Sequence, residues 1–213
     1  MLPLKGGPTA KSRLGATASL ARAIALDTLD AVLRCRRTDL VLVVTPDEQS
    51  AHEASVMGAV AVPESRPGSG LLPAVWDGVA MARRADAPCA VLLGDLPALR
   101  PGDLTTALDA AWAALRPARD RMAFVPDADG AGTVLLAAER PDRLEPAFGP
   151  RSAQAHMRAG GIRLDLDLPR LRRDVDTPED LAEALAMGVG VRTAGVMRTT
   201  GVMRTTGGPG VVP

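Results

Sequence analysis

Short apolar runs and stretches with apolar residues at helical spacing alternate along this chain. Residues 40–47, LVLVVTPD, read as a buried strand ending in a turn, because the run is short and rich in β-branched residues. Before it, residues 19–35 place Leu20, Ile24, Leu29, Val32 and Leu33 on one broad face, with Asp27 as a charge on its margin. That spacing predicts a helix. A helix from about Pro46 to Met57 and a short strand over 58–64 repeat the cycle. The loop SRPGSG (65–70) leads into a helix over 71–85 and the strand AVLLGD (90–95). Residues 101–115 predict a helix opened by Pro-Gly-Asp, and 121–138 two strands around a Gly-rich turn. Residues 146–161 give a loop and then a helix closed by Gly160-Gly161. IRLDLDL (162–168) alternates apolar and polar residues as a half-exposed edge strand does. The helix over 177–188 has Pro in its first turn, acids near its start and Gly at its end. Strand–helix alternation of this kind predicts an α/β, three-layer αβα domain over residues 1–190, with a mostly parallel, Rossmann-like sheet.

The end of the chain breaks the pattern. GVMRTT occurs twice in tandem, at 195–200 and 201–206, followed by Gly-Gly-Pro-Gly. Two six-residue copies cannot build a solenoid, so 191–213 is expected to be a disordered tail, with a partner-binding peptide as the alternative.

Composition narrows the function. The 213 residues suffice for one domain with a full core. Lys plus Arg and Asp plus Glu each number 25, so the net charge is zero and no nucleic-acid footprint is expected. No apolar run is long enough to span a membrane, and the start lacks the pattern of a signal peptide. Cys35 and Cys89 are isolated, which argues against structural zinc or a disulfide scaffold and for a cytoplasmic location. The sequence leaves a homodimer open. Lysine is confined to Lys5 and Lys11, in a chain otherwise using Arg, so both merit a reason.

Two regions carry chemistry. AVLLGDLPAL delivers Asp95 to the carboxyl end of a buried strand, where open α/β sheets bind ligands, and Asp174 and Asp176 follow in RRDVDTPEDL. Carboxylates on one edge suit Mg²⁺, which takes one or two of them plus substrate phosphates. The alternative is capping, of the turn before Pro97 by Asp95 and of the helix at Thr177-Pro178 by Asp176. The second region is the opening, LPLKGGPTAKSRL, a strand end, a Gly/Pro loop and then Lys11-Ser12-Arg13 at a helix start. Such loops cradle phosphates, and cations at a helix amino terminus oppose the macrodipole unless an anion sits there. GxxxxGK[ST] is absent, so this is no Walker A loop.

The opening LPLK…AKSRL, GDLPAL, the GAGT turn, FGPRS and DVDTPEDL together resemble one family in its own order over about residues 2–190. It is the phosphoenolpyruvate / 2-phospho-L-lactate guanylyltransferase family of coenzyme F-420 biosynthesis, GT-A-like nucleotidyltransferases with a nucleotide-diphospho-sugar transferase fold. The resemblance implies GTP binding by Lys5, Lys11 and Arg13, with Lys11, Arg13 and Asp95 as the catalytic groups. It implies Mg²⁺ on Asp95 and Asp174, with Asp176 as a neighbour that ligates or caps, and acceptor binding by Thr133, Gly149 and Ser152. Phosphoenolpyruvate is the acceptor expected, with 2-phospho-L-lactate or 3-phosphoglycerate as alternatives. His156, one turn after Ser152, either joins that anion site or lies on a helix surface. The chain departs from the family at two places. Only three residues follow Met1 before Lys5, so either the first strand is short or the start is misassigned, and Leu72-Pro73 stand where Gly-Leu-Asn is usual. Gly68, Gly70 and Leu71 can still reach guanine through their backbone. A molybdopterin nucleotidyltransferase and a non-catalytic nucleotide-binding homologue are the competing readings.

Overall fold

The computed structural model describes residues 1–4, 17–85 and 87–199. Lys5, Lys11 and Arg13 lie outside the described residues, as does everything beyond 199.

Strand β1 (Leu2–Pro3) pairs in parallel with β2 (Leu42–Thr45), and β2 in parallel with β3 (Val60–Pro63). Strand β4 (Cys89–Leu92) pairs antiparallel with β6 (Thr133–Ala138), which pairs antiparallel with β5 (Met122–Pro126). A two-residue strand, β7 (Ile162–Arg163), joins β5 in parallel. Leu92 N–H donates to Met1 O at 3.0 Å, which joins β1 to β4 and makes one surface of the two groups. Leu92 meets Met1, and Gly94 meets Pro3 and Leu4, so β4 runs with β1. Only β6 is reversed among these strands. A Cβ at Gly94 would collide with Leu4 Cδ2 and sit 3.1 Å from Pro3 O, so the close approach of β1 requires glycine there.

Helices α1 (Ala18–Leu33), α2 (Glu48–Val56), α3 (Leu71–Ala82) and α4 (Pro101–Leu115) connect the parallel strands. Their ends follow local chemistry. Thr17 and Asp47 cap α1 and α2 through side-chain oxygens that accept from Leu20 N–H and Ser50 N–H. Asp103 Oδ2 accepts from Arg100 N–H at the start of α4, where Pro101 has no N–H that needs an acceptor. Val43, Val91, Phe124, Leu135 and Leu136 are fully buried in the sheet, and Ile24 and Leu29 in α1. These positions belong to the alternating pattern that the sequence shows.

Later elements are α5 (Ser152–Arg158), the short α6 (Pro169–Arg172) and α7 (Pro178–Met187). The edge strand expected over 162–168 has a ladder only at 162–163. Leu164 N–H still donates to Phe124 O at 2.9 Å, and beyond it Leu166 and Leu168 stay half-buried while Asp165 and Asp167 are exposed, so the alternation outlasts the strand pairing.

The expected disordered tail is corrected over 191–199. These residues form helix α8 (Val191–Thr199), which packs on α1 with Thr193 and Met197 buried. Asp27, expected on the margin of α1, is the reason. It is buried, and its Oδ1 and Oδ2 accept from Arg192 N–H at 3.2 Å and Thr193 N–H at 2.7 Å. A carboxylate from α1 thus occupies the amino terminus of α8, where free amides and the helix dipole favour an anion. A Cβ at Gly190 would strike this carboxylate, so a glycine precedes the helix. The motif GVMRTT misled because its first copy supplies Met197 to a helix whose start lies outside the repeat.

Candidate functional site

The parallel strands β3, β2, β1 and β4 end on the same edge, and the loops there hold the predicted site. Asp95 follows β4 by three residues and is 8% exposed. Its carbonyl accepts from Val175 N–H at 3.0 Å, which brings the DVD segment against the end of β4. The turn after Asp95 is pinned from below: Leu96 N–H donates to Thr28 Oγ1 at 3.0 Å, and that fully buried hydroxyl donates to Ile24 O.

Asp174, between Arg173 and Val175, is half-buried beside other acids. Burial, and then the charges of Asp95, Asp176 and Asp127, push its pKa up to about 7. Carboxylates held close enough for this repel one another unless a proton or a cation sits among them. The cap reading for Asp176 is corrected. Thr177 is the N-cap of α7, its Oγ1 accepting from Asp180 N–H, while Asp180 Oδ2 accepts from the N–H groups of Thr177 and Asp176. Asp176 itself is exposed and adds its charge to the Asp95–Asp174 pair. Among the described residues no three His, Cys, Asp or Glu side chains form a closed metal cage. A two-carboxylate site completed by phosphate oxygens has the donor set for Mg²⁺.

Two arginines brace this segment. Arg172 donates to Pro126 O and Asp127 O, with Nη2 at 2.8 Å from the latter, and its own carbonyl accepts from Ala128 N–H. Arg173 pairs with Asp180 at 3.1 Å and Glu183 at 2.9 Å. Asp127 closes the Gly-rich turn before β6, accepting from Ala131 N–H at 2.9 Å and Gly132 N–H at 2.7 Å. Sequence reasoning missed Thr28, Asp127, Arg172 and Arg173. The Asp-X-Asp-Gly turn and the Arg pair before the acidic motif were the available signals.

Thr133 begins β6 on this edge, because β6 runs antiparallel to β4 and Leu93 N–H donates to Val134 O. Ala153 N–H donates to Ala131 O at 3.1 Å, setting the first turn of α5 against the Gly-rich turn. Thr133 (3% exposed) and Ser152 (2% exposed) therefore come together with the loop that carries Gly149. In that loop Gly149 has φ 139° and Arg151 has φ 59°, the one non-glycine with positive φ among the described residues. Such strain marks a loop held in place by its surroundings. His156 contacts Thr133, with Nδ1 2.9 Å from Oγ1, which sets it beside the residues expected at the anion site. It is fully buried, not on a surface, and burial pulls its pKa down to about 4, so it is no cation for an anion site.

Gly68 and Gly70 take positive φ in the loop before α3, and Leu71 opens that helix. They lie on the same carboxyl edge, at the end of β3. Thus the described candidates share one edge, with the base-side loop and the acidic pair separated by β2 and β1.

A mostly parallel sheet with acidic residues at the end of one strand, a Gly-rich loop beside another and a recessed hydroxyl pocket is the arrangement of a nucleotidyltransferase. The chain belongs to the MobA-like NTP transferase family, whose domain matches residues 16–165. It is 47% identical to the phosphoenolpyruvate guanylyltransferase of Streptomyces scabiei over 91% of this chain and 93% of that one. It is 48% identical to that of Salinispora arenicola, over 91% of this chain and 90% of that one. Among solved structures, a nucleotidyl transferase from Methanothermobacter superposes with a TM-score of 0.58 at 18% identity, covering 87% of this chain and 96% of that one. A 4-diphosphocytidyl-2C-methyl-D-erythritol synthase superposes at 0.56 and 15% identity, over 87% and 97%. These two bear on the fold alone. No helix among the described residues is long and apolar enough to cross a membrane.

Proposed function

We propose that this chain transfers GMP from GTP to phosphoenolpyruvate, giving enolpyruvyl-2-diphospho-5'-guanosine and pyrophosphate, as a cytoplasmic step in coenzyme F-420 biosynthesis. The observation that carries the reading is the meeting of Asp95, Asp174, Thr133 and Ser152 on one sheet edge, in a chain with close relatives named for this reaction.

The acceptor's phosphate oxygen attacks the α-phosphorus of GTP in line. One P–O bond forms there as the bond to the β-phosphate breaks, and pyrophosphate leaves with the electron pair. The nucleophile is already an anion, so no general base is needed, and positioning and charge neutralisation carry the rate. Asp95 and Asp174 would hold Mg²⁺, with Asp176 lending charge, and the ion would supply charge neutralisation of the triphosphate. Lys5, Lys11 and Arg13 neutralise the triphosphate. Gly68, Gly70 and Leu71 present backbone groups to guanine. Thr133, Ser152 and the amides around Gly149 grip the acceptor, since a small dianion is best held by hydroxyls and main-chain N–H groups. Mass-spectrometric detection of the product from GTP, Mg²⁺ and each of phosphoenolpyruvate, 2-phospho-L-lactate and 3-phosphoglycerate tests this. Product from phosphoenolpyruvate alone, or far faster from it, is expected. Preference for another acid overturns the substrate, and no pyrophosphate with any of them overturns the reaction.

A further inference from the structure

His156 lies wholly inside the protein, between Phe124 (ring centroids 5.6 Å apart) and Phe148 (5.4 Å, edge-on), and makes two hydrogen bonds. Ala147 N–H donates to Nε2 at 2.9 Å, and Nδ1 lies 2.9 Å from Thr133 Oγ1. A backbone amide can only donate, so Nε2 must present its lone pair. Neutral imidazole carries one proton, which therefore sits on Nδ1 and points at the threonine. A second proton would set Nε2–H against Ala147 N–H. The low pKa has burial as its sole cause, and the rings and main chain around the imidazole bring no opposing charge.

The consequence falls on Thr133. Its hydroxyl accepts from Nδ1–H and makes no other hydrogen bond among the described residues. With a lone pair committed to the histidine, its single hydrogen is turned away and stands ready for an outside acceptor. Ser152, one helical turn before His156 on α5, is recessed beside it. We infer that His156 is a positioning residue that locks Thr133 as a hydrogen-bond donor to the phosphorylated acid, relaying the Ala147 amide through the imidazole into the acceptor pocket. The inference rests on the acceptor assignment of Thr133 made above and adds the group that orients it. It also explains a histidine on α5 that makes no charge: the pocket recognises an anion with aimed hydroxyls and amides, and an imidazolium would reverse the relay.

Two substitutions separate the two bonds. His156→Gln keeps an oxygen near the Nε2 position for Ala147 but loses the donor to Thr133. His156→Asn keeps an N–H near Nδ1 and loses the acceptor for Ala147. The expected result is a rise of about ten-fold or more in the KM for phosphoenolpyruvate with His156→Gln, with the KM for GTP unchanged. His156→Asn should restore most of the acceptor KM even if it melts earlier. In a Thr133→Val background, His156→Gln should add nothing to the KM, because the coupled group is already gone. Nitrogen-15 NMR of the imidazole in the wild type should show a proton on Nδ1 and a bare Nε2 from pH 5 to 8. A proton on Nε2, equal effects on both KM values, or additive effects in the double mutant would overturn the relay while leaving GMP transfer intact. Absence of transfer to any acceptor would instead overturn the proposed function, and the tautomer spectrum needs no substrate.

Discussion

Replacing Asp27 by alanine tests the docking of the last helix on the first. In the native protein its carboxylate accepts from two α8 amides, at 3.2 and 2.7 Å, and Arg192 Nη1 stands 3.7 Å from Oδ1. A hydrogen bond to a charged group is worth about 1.5–3 kcal/mol, although the freed amides of a helix start recover part of this from water. The net cost should be about 2–4 kcal/mol. For a protein of this size each kcal/mol lowers Tm by about 2–4 °C, so a drop of about 4–16 °C is expected in a thermal melt followed by circular dichroism. Met197→Ala supplies the cross-check. Met197 is 3% exposed, and truncating a buried methionine costs about 2–5 kcal/mol. If Asp27→Ala releases α8, the methionine is already in water and the double mutant should be scarcely worse than the single one. Additive losses would mean that α8 stays docked without its carboxylate. A drop below about 2 °C for Asp27→Ala would mean that the amides need no cap, and the account of α8 would fail.

Asp95→Asn should abolish pyrophosphate release with the melting temperature nearly unchanged; comparable release at saturating Mg²⁺ would remove Asp95 from the cation site. Ser152→Ala should raise the acceptor KM about ten- to hundred-fold, the loss of one charge-assisted bond, with GTP unaffected; equal effects on both substrates would make Ser152 structural. Asp174 binds its proton more tightly folded than unfolded, so its contribution to stability is full below about pH 4 and is lost as pH rises to about 7. Asp174→Asn, measured without divalent cation at pH 8, should therefore raise Tm by about 2–4 °C, and an unchanged or lower Tm would refute the charge crowding. Deleting 191–213 should cost at least as much stability as Asp27→Ala, whereas deleting only 201–213 should leave Tm within error; equal melts for the two deletions would return α8 to a dispensable tail.

Much of the fold was legible in the sequence because burial writes a periodic signal. The buried β2, β4 and β5 are short apolar runs, and α4 spans the expected 101–115, fixed by Pro101 at one end. Asp95 could be read as an edge residue because nothing in a buried strand tolerates an acid except its end. What could not be read depends on pairing across long separations. The margin charge Asp27 is buried only because residues 192 and 193 bring amides to it, and no local pattern in either segment shows this. His156 followed the same rule. Its spacing from Ser152 suggested a shared site, but its role depends on Ala147, on Thr133 and on two phenylalanines that fold around it. Alternation over 164–168 correctly gave one inward face, yet hydrogen bonding to β5 ends with the Leu164 amide, since periodicity reports burial and not hydrogen bonding.

The bond from Val175 N–H to Asp95 O also sets an order of assembly. Strands β1 to β6 pair with one another through residues made before position 139, and only the short β7 on β5 is made later. During synthesis they can form a sheet while the second acidic segment is still untranslated, as domains commonly begin to fold from the amino-terminal side. Helix α5 follows, and with it the recess around Ser152 and His156. Asp174 arrives last, so a nascent or prematurely ended chain displays both binding surfaces without the paired carboxylates between them. Under the proposed chemistry such a fragment binds without turning over, and GTP is consumed only by chains that extend past the Asp174 segment.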